Sequence, residues 1–94
     1  MNEKAIVDAK IFDLGTVGQD TVVTVVLDAA ANVRLLTKVN FLAYRRRQFY
    51  RMHGGVATTP VFKISVPTNA HWYLVLDVDG LEPQPLHPRV HVTR

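Results

Sequence analysis

From Thr21 to Asp28 the chain reads Thr-Val-Val-Thr-Val-Val-Leu-Asp, and no other stretch limits the fold as much. Six of these eight residues branch at Cβ, which stiffens the side chains, works against a helix and suits a pleated strand. Val23, Val25 and Leu27 share one face, while Val22, Thr24 and Val26 form a second, also largely apolar face. That pattern predicts a central strand covered on both sides.

The same period of two recurs along the chain. Ala5–Phe12 sets Val7, Ala9 and Ile11 against Asp8 and Lys10, and Asp13-Leu14-Gly15 and Gly18-Gln19-Asp20 then read as turns. Asn32–Thr37 alternates Val33 and Leu35 with Arg34. Gln48–His53 is strand-like, with Phe49, Arg51 and His53 on one face and Tyr50 and Met52 on the other, and Gly54-Gly55 reads as a turn. Pro60 opens a strand with Phe62, Ile64 and Val66 on one side, and Pro67–Ala70 turns the chain. In His71–Val78, Trp72, Leu74, Leu76 and Val78 oppose His71, Tyr73, Val75 and Asp77. Asp79-Gly80 ends it, residues 81–88 with Pro83, Pro85 and Pro88 form an extended linker, and Arg89–Thr93 is a last strand with Val90 and Val92 inward. About seven short strands in 94 residues predict one all-β domain over residues 1–94. The expected form is a compact antiparallel β-sandwich or partly open barrel.

One segment breaks the period. Asn40 has N-cap chemistry, Val39 and Tyr44 are spaced as a hydrophobic staple, and a short helix is expected near residues 40–47. Arg45, Arg46 and Arg47 then fall in its last turn, where the helix dipole favours positive charge by ~0.3–1 kcal/mol each.

Charge is segregated. Between Ala29 and Leu76 the chain has no Asp or Glu but carries Arg34, Lys38, Arg45, Arg46, Arg47, Arg51 and Lys63. Cysteine is absent, which removes disulfides and thiolate metal sites and fits the cytoplasm. Met1-Asn-Glu-Lys has no apolar signal-like core. The longest apolar runs, Val22–Leu27 and Trp72–Leu76, are far short of the roughly 20 residues of a membrane span. A soluble cytoplasmic protein with no membrane contact is expected.

Reactive constellations are thin. His87 and His91 sit four apart around Pro88, which blocks a helix, and on a strand that spacing is ~13 Å, too far for one ion. His53 and His71 lack a third ligand nearby. Asp77-Val-Asp79-Gly80 begins like a calcium loop but lacks its later oxygen ligands. Ser65, the only serine, makes a triad with His71 and Asp77 in composition only. No catalytic residue, metal site or cofactor is assigned, and a small hydrolase or isomerase is the weakest reading.

Several clusters occur in a telling order: Phe12-Asp13-Leu14-Gly15, Asn32-Val33-Arg34-Leu35-Leu36, Asn40-Phe41 with Tyr44-Arg45, His53-Gly54-Gly55, Pro60-Val61, and Val66-Pro67 leading to His71-Trp72-Tyr73. From about Ile11 to Gly80 the chain resembles the bacterial domain of unknown function numbered eighteen eighty-three. Arg46 and Ala70 stand where that family tends to have glycine. The resemblance implies a small all-β fold, found alone and beside TIR signalling domains, and carries over no catalytic residue.

These readings converge on a small bacterial, non-enzymatic binding module. Its expected contact surface is Tyr44, Arg45, Arg46, Arg47, Tyr50, Arg51 and His53, facing an anionic ligand or an acidic protein surface. The alternative is single-stranded nucleic acid, with cations on phosphate and rings on bases. Edge strands offer a route to a homodimer.

Overall fold

The protein, described here for residues 9–94 from a computed structural model, forms strands where the sequence alternates. These are β1 (Lys10–Val17), β2 (Val22–Val26), β3 (Ala31–Thr37), β4 (His53–Ala57), β5 (Val61–Ser65), β6 (Ala70–Asp77) and β7 (Arg89–Thr93). One helix, α1 (Lys38–Arg45), lies between β3 and β4. The strands make a four-stranded sheet of order β1-β6-β3-β4 and a three-stranded sheet of order β5-β2-β7, with every pairing antiparallel. Only β3 and β4 follow one another within a sheet; every other connection carries the chain to the opposite layer. The result is a sandwich.

Its core is where the apolar parities of the two sheets meet. Val23 and Val25 from β2, Val33 and Leu35 from β3, and Trp72, Leu74 and Leu76 from β6 are buried there, with Phe62, Ile64 and Val90 packed at the margins. Each fully buried aliphatic side chain stabilises the fold by ~1.5–3 kcal/mol. The Trp72 indole N–H donates to the Thr68 carbonyl at 2.9 Å, so the largest buried ring leaves no polar atom unpaired.

The strand covered on both faces is not the one the sequence suggests. The outer face of β2 is only half-buried; among the described residues its neighbours on that face are mostly polar, with Thr24 between Lys63 and His91. The doubly covered strands are β3 and β6. Beyond their sandwich faces, Leu36, Phe41 and Val75 form a second buried cluster under α1. Phe41 stacks on Tyr73 with ring centroids 4.1 Å apart.

Other expectations also shift. Residues 5–8 of the expected first strand lie outside the described residues. Asp13-Leu14-Gly15 does not end β1 but forms a bulge within it, with Gly15 at φ 71° accepting the kink. Gly54-Gly55 is not a turn. Both residues lie inside β4, where Gly54 (φ 135°) is needed because a Cβ would collide with the Val33 carbonyl oxygen. Val92 keeps the expected inward parity, paired with buried Val23, yet on edge strand β7 it is 43% exposed. In the expected linker, Leu86 plugs the core at 3% exposure and the His87 backbone and ring both bond Asp28.

The helix starts two residues early. Thr37 is its N-cap residue, and Asn40 lies in the first turn with its Nδ2 donating back to Thr37 Oγ1 at 2.9 Å. Val39 is 77% exposed and staples nothing. Only Arg45 is in the last turn; Arg46 is the C-cap, and Arg47 adopts the left-handed conformation at φ 58°. Backbone bonds from Arg47 N to Tyr44 O and from Gln48 N to Ala43 O complete the Schellman pattern that commonly uses glycine.

Candidate binding cleft

Because β3 runs straight into α1, the helix folds back over the outer face of the sheet that β3 has just built. Residues of outward parity on β3 and β6 thereby become a floor. Asn32 and Arg34 stand on β3, and Asp77 stands at the end of β6. Asp77 Oδ2 accepts from Arg34 Nε at 2.8 Å and from the Tyr44 hydroxyl at 2.9 Å. Its Oδ1 accepts from Asn32 Nδ2 at 2.6 Å, Arg34 Nη2 at 3.1 Å and the Asp79 backbone N–H at 3.2 Å. The fork-shaped guanidinium thus meets the carboxylate with two nitrogens. Arg34 Nη1 turns the other way and donates to the Tyr50 hydroxyl at 2.9 Å.

This network sets its own electrostatics. Burial by itself pushes the Asp77 carboxyl up, but donors from Arg34, Asn32 and Tyr44 outweigh it and hold the group below the ordinary carboxylate value. The same ion pair, against the opposing effect of burial, raises Arg34 above its usual value. Tyr44 is pushed strongly up, by burial first and then by donating to a carboxylate. At neutral pH the floor is therefore a closed pair of opposite charges with the neutral Tyr44 phenol beside it. Arg34 also lies 5.6 Å from the Tyr44 ring centroid, and the Tyr44 and Tyr50 rings meet edge to face at 5.4 Å.

Above the floor opens a cleft of about 500 Å³, within the range of small-molecule sites. One wall is Val78, Leu81 and Pro83; the other is the end of α1 with Arg45 and Arg47. Ala9 and Asp79 complete the rim. Its lining holds three arginines against two carboxylates, and Asp77 is already committed to Arg34.

The cleft separates the residues that sequence grouped together. Tyr44, Arg45, Arg47 and Tyr50 line it. Arg46 and Arg51 are exposed nearby, and the Arg51 backbone N–H is tethered by Asn40 Oδ1 at 3.0 Å. His53 does not join them. It pairs with Leu35 in register and so sits on the sandwich side of the sheet, its ring 5.7 Å from that of Trp72. Phe49, expected on one face of a strand, projects from the loop at 89% exposure, whereas Tyr50 packs under α1.

Sequence reasoning missed Arg34, Asp77, Asn32 and the Leu81–Pro83 wall. A signal for the first two was present: each is a charge at outward parity on a strand otherwise rich in buried residues. The other constellations do not converge. Ser65 pairs with Val22 in the three-stranded sheet, and His71 bonds Asp13 at 2.7 Å across β1 and β6. His53 and His71 occupy opposite faces of one sheet, and no group of three metal-ligating side chains occurs among the described residues. The acid-free span does not form one face either, since Lys63 lies on the outer side of the second sheet. Among the described residues no helix is long and apolar enough to cross a membrane.

The fold and this site define a small all-β sandwich whose helix roofs a polar, arginine-rimmed cleft. Residues 10–89 match the family described as Domain of unknown function (DUF1883), and the chain belongs to that family. No curated protein and no solved structure matches it.

Proposed function

We propose that this protein is a non-enzymatic binding module of the cytoplasm that takes an anionic ligand or an acidic protein surface at the C-terminal end of α1 and the loop beyond it. One observation carries the reading. Arg45, Arg46, Arg47 and Arg51 are exposed within seven residues, and no carboxylate among the described residues forms an ion pair with any of them. Four guanidinium groups that no described carboxylate pairs with repel one another, and an anion relieves that repulsion while gaining bidentate hydrogen bonds. The contrast with Arg34 is instructive: the one arginine with a structural task has a carboxylate in place.

Substituting Arg45, Arg46 and Arg47 together by Gln tests it. Binding of a short polyglutamate peptide at low salt, and its salt dependence, should fall sharply, with thermal stability little changed. A loss of several kcal/mol in stability with binding intact would make the arginines structural.

A second reading, single-stranded nucleic acid, is favoured by the exposure of Phe49 between Gln48 and Tyr50, with arginines on both sides. A ring so placed suits base stacking, worth ~1–3 kcal/mol per base. Fluorescence titration with short oligonucleotides at two salt concentrations separates the two readings. Absence of binding at low salt removes this one.

A further inference from the structure

We propose that the cleft between α1 and the Val78–Pro83 segment takes a small amphipathic oxyacid anion, its charged group at Arg45 and Arg47 and its apolar body against Val78, Leu81 and Pro83. This rests on the reading of the arginines as an anion-binding surface and narrows it to a small ligand held by one cleft.

The lining specifies both ends of such a molecule. Arg45 and Arg47 both come from the end of α1, while the wall supplied by the segment after β6, with Val78, Leu81 and Pro83, is apolar except for Asp79. A symmetric, fully hydrated ion such as free phosphate uses the rim and leaves that wall wet. A ligand with an apolar body uses both, and the apolar area withdrawn from water adds to the charge contact.

The floor offers a third point of recognition. The Tyr50 hydroxyl accepts from Arg34 Nη1, which leaves its own O–H proton to donate, and Tyr50 lines the cleft. The Tyr44 proton is engaged by Asp77, so Tyr44 contributes its ring rather than a donor. Arg34 is itself closed off by Asp77 and holds both phenols in place; it is a positioning residue, and the ligand's charge is met by the rim arginines alone. A volume of about 500 Å³ lies within the range of small-molecule sites and has room for an aryl group with its acid.

The test uses isothermal titration of the whole chain with phenyl phosphate, 1-naphthoate, inorganic phosphate and phenol at low salt. The two aryl acids separate phosphate from carboxylate recognition. Expected are binding of at least one aryl acid at least tenfold tighter than either inorganic phosphate or phenol, and a tenfold or greater loss in Arg47→Gln. Tyr50→Phe should weaken binding severalfold, Arg46→Gln, outside the cleft, should weaken it far less than Arg47→Gln, and Lys63→Gln, on the outer face of the second sheet, should leave it unchanged. If the aryl acids bind no better than inorganic phosphate, and Arg46→Gln weakens binding as much as Arg47→Gln, the cleft proposal fails while the broader basic surface stands. If neither these ions nor polyglutamate bind, both fail.

Discussion

Asp77 shows most clearly how a single residue ties fold to site. Replacing it by Asn leaves the shielded Arg34 guanidinium without its charge partner and should cost about 3 kcal/mol, read from urea unfolding. Its pH behaviour has a definite sign. A carboxyl held below its unfolded value, ~3.9, adds its full stability above that value and loses it as pH falls through the lower folded pKa. Wild-type stability should therefore decline below about pH 4 more steeply than that of Asp77→Asn. Asp13 and Asp28 are also held low, chiefly by hydrogen bonds from the Gly15 backbone and the His87 ring respectively, but they are present in both proteins and cancel in the comparison. Arg47 offers an opposite case. Its left-handed backbone costs an L-residue ~1–2 kcal/mol, part of which glycine returns as unfolded-chain entropy. Arg47→Gly should thus raise the melting temperature by several degrees and still weaken anion binding, separating stability from function in one substitution. Gly54→Ala should do the reverse, costing at least ~2 kcal/mol through its collision with the Val33 carbonyl.

At the scale of elements, α1 and the loop behind it work as one unit joined by Asn40. Its amide spans Thr37, where the helix begins, and Arg51, where the loop approaches β4. Asn40→Ala should cost about 1–2 kcal/mol for two hydrogen bonds and speed amide exchange at Arg51 well before the core strands respond. Strands were legible in the sequence because burial imposes a period of two, and β5, β6 and β7 fall close to where alternation puts them. The turns were less so. Gly15 and Gly54 signal unusual backbone geometry, and sequence does not distinguish a turn from a bulge or a strand pressed against its neighbour. Asn40 misled for a related reason: its side chain bonds an N-cap rather than being one. The floor of the cleft stayed hidden because Arg34 and Asp77, 43 residues apart, meet only through the β3–β6 register.

For the whole molecule, the outcome depends on which charges the fold neutralises. Sequence shows a span of 48 residues without an acid, yet folding sets Asp77 at its centre and sends Lys63 to the opposite layer. What remains is a compact basic site at one end of α1, not a basic face. Among the described residues the four edge strands are short or irregular: β1 carries a bulge, β4 carries Gly54 in a positive-φ conformation, and β5 and β7 span five residues each. Such edges discourage pairing with another copy, so sedimentation at micromolar concentration should give a monomer rather than the edge-paired dimer open to the sequence alone.

The proposed anion site is the end of α1 and the cleft beside it. The most direct measurement is an amide chemical-shift map recorded while a pentaglutamate peptide is titrated in at low salt. Shifts should concentrate at Tyr44–Arg51 and Val78–Leu81, fade as salt is added, and spare Thr24, Lys63 and His91 on the outer face of the second sheet. Shifts centred on that second sheet, or no salt-sensitive shift at the end of α1, would contradict it.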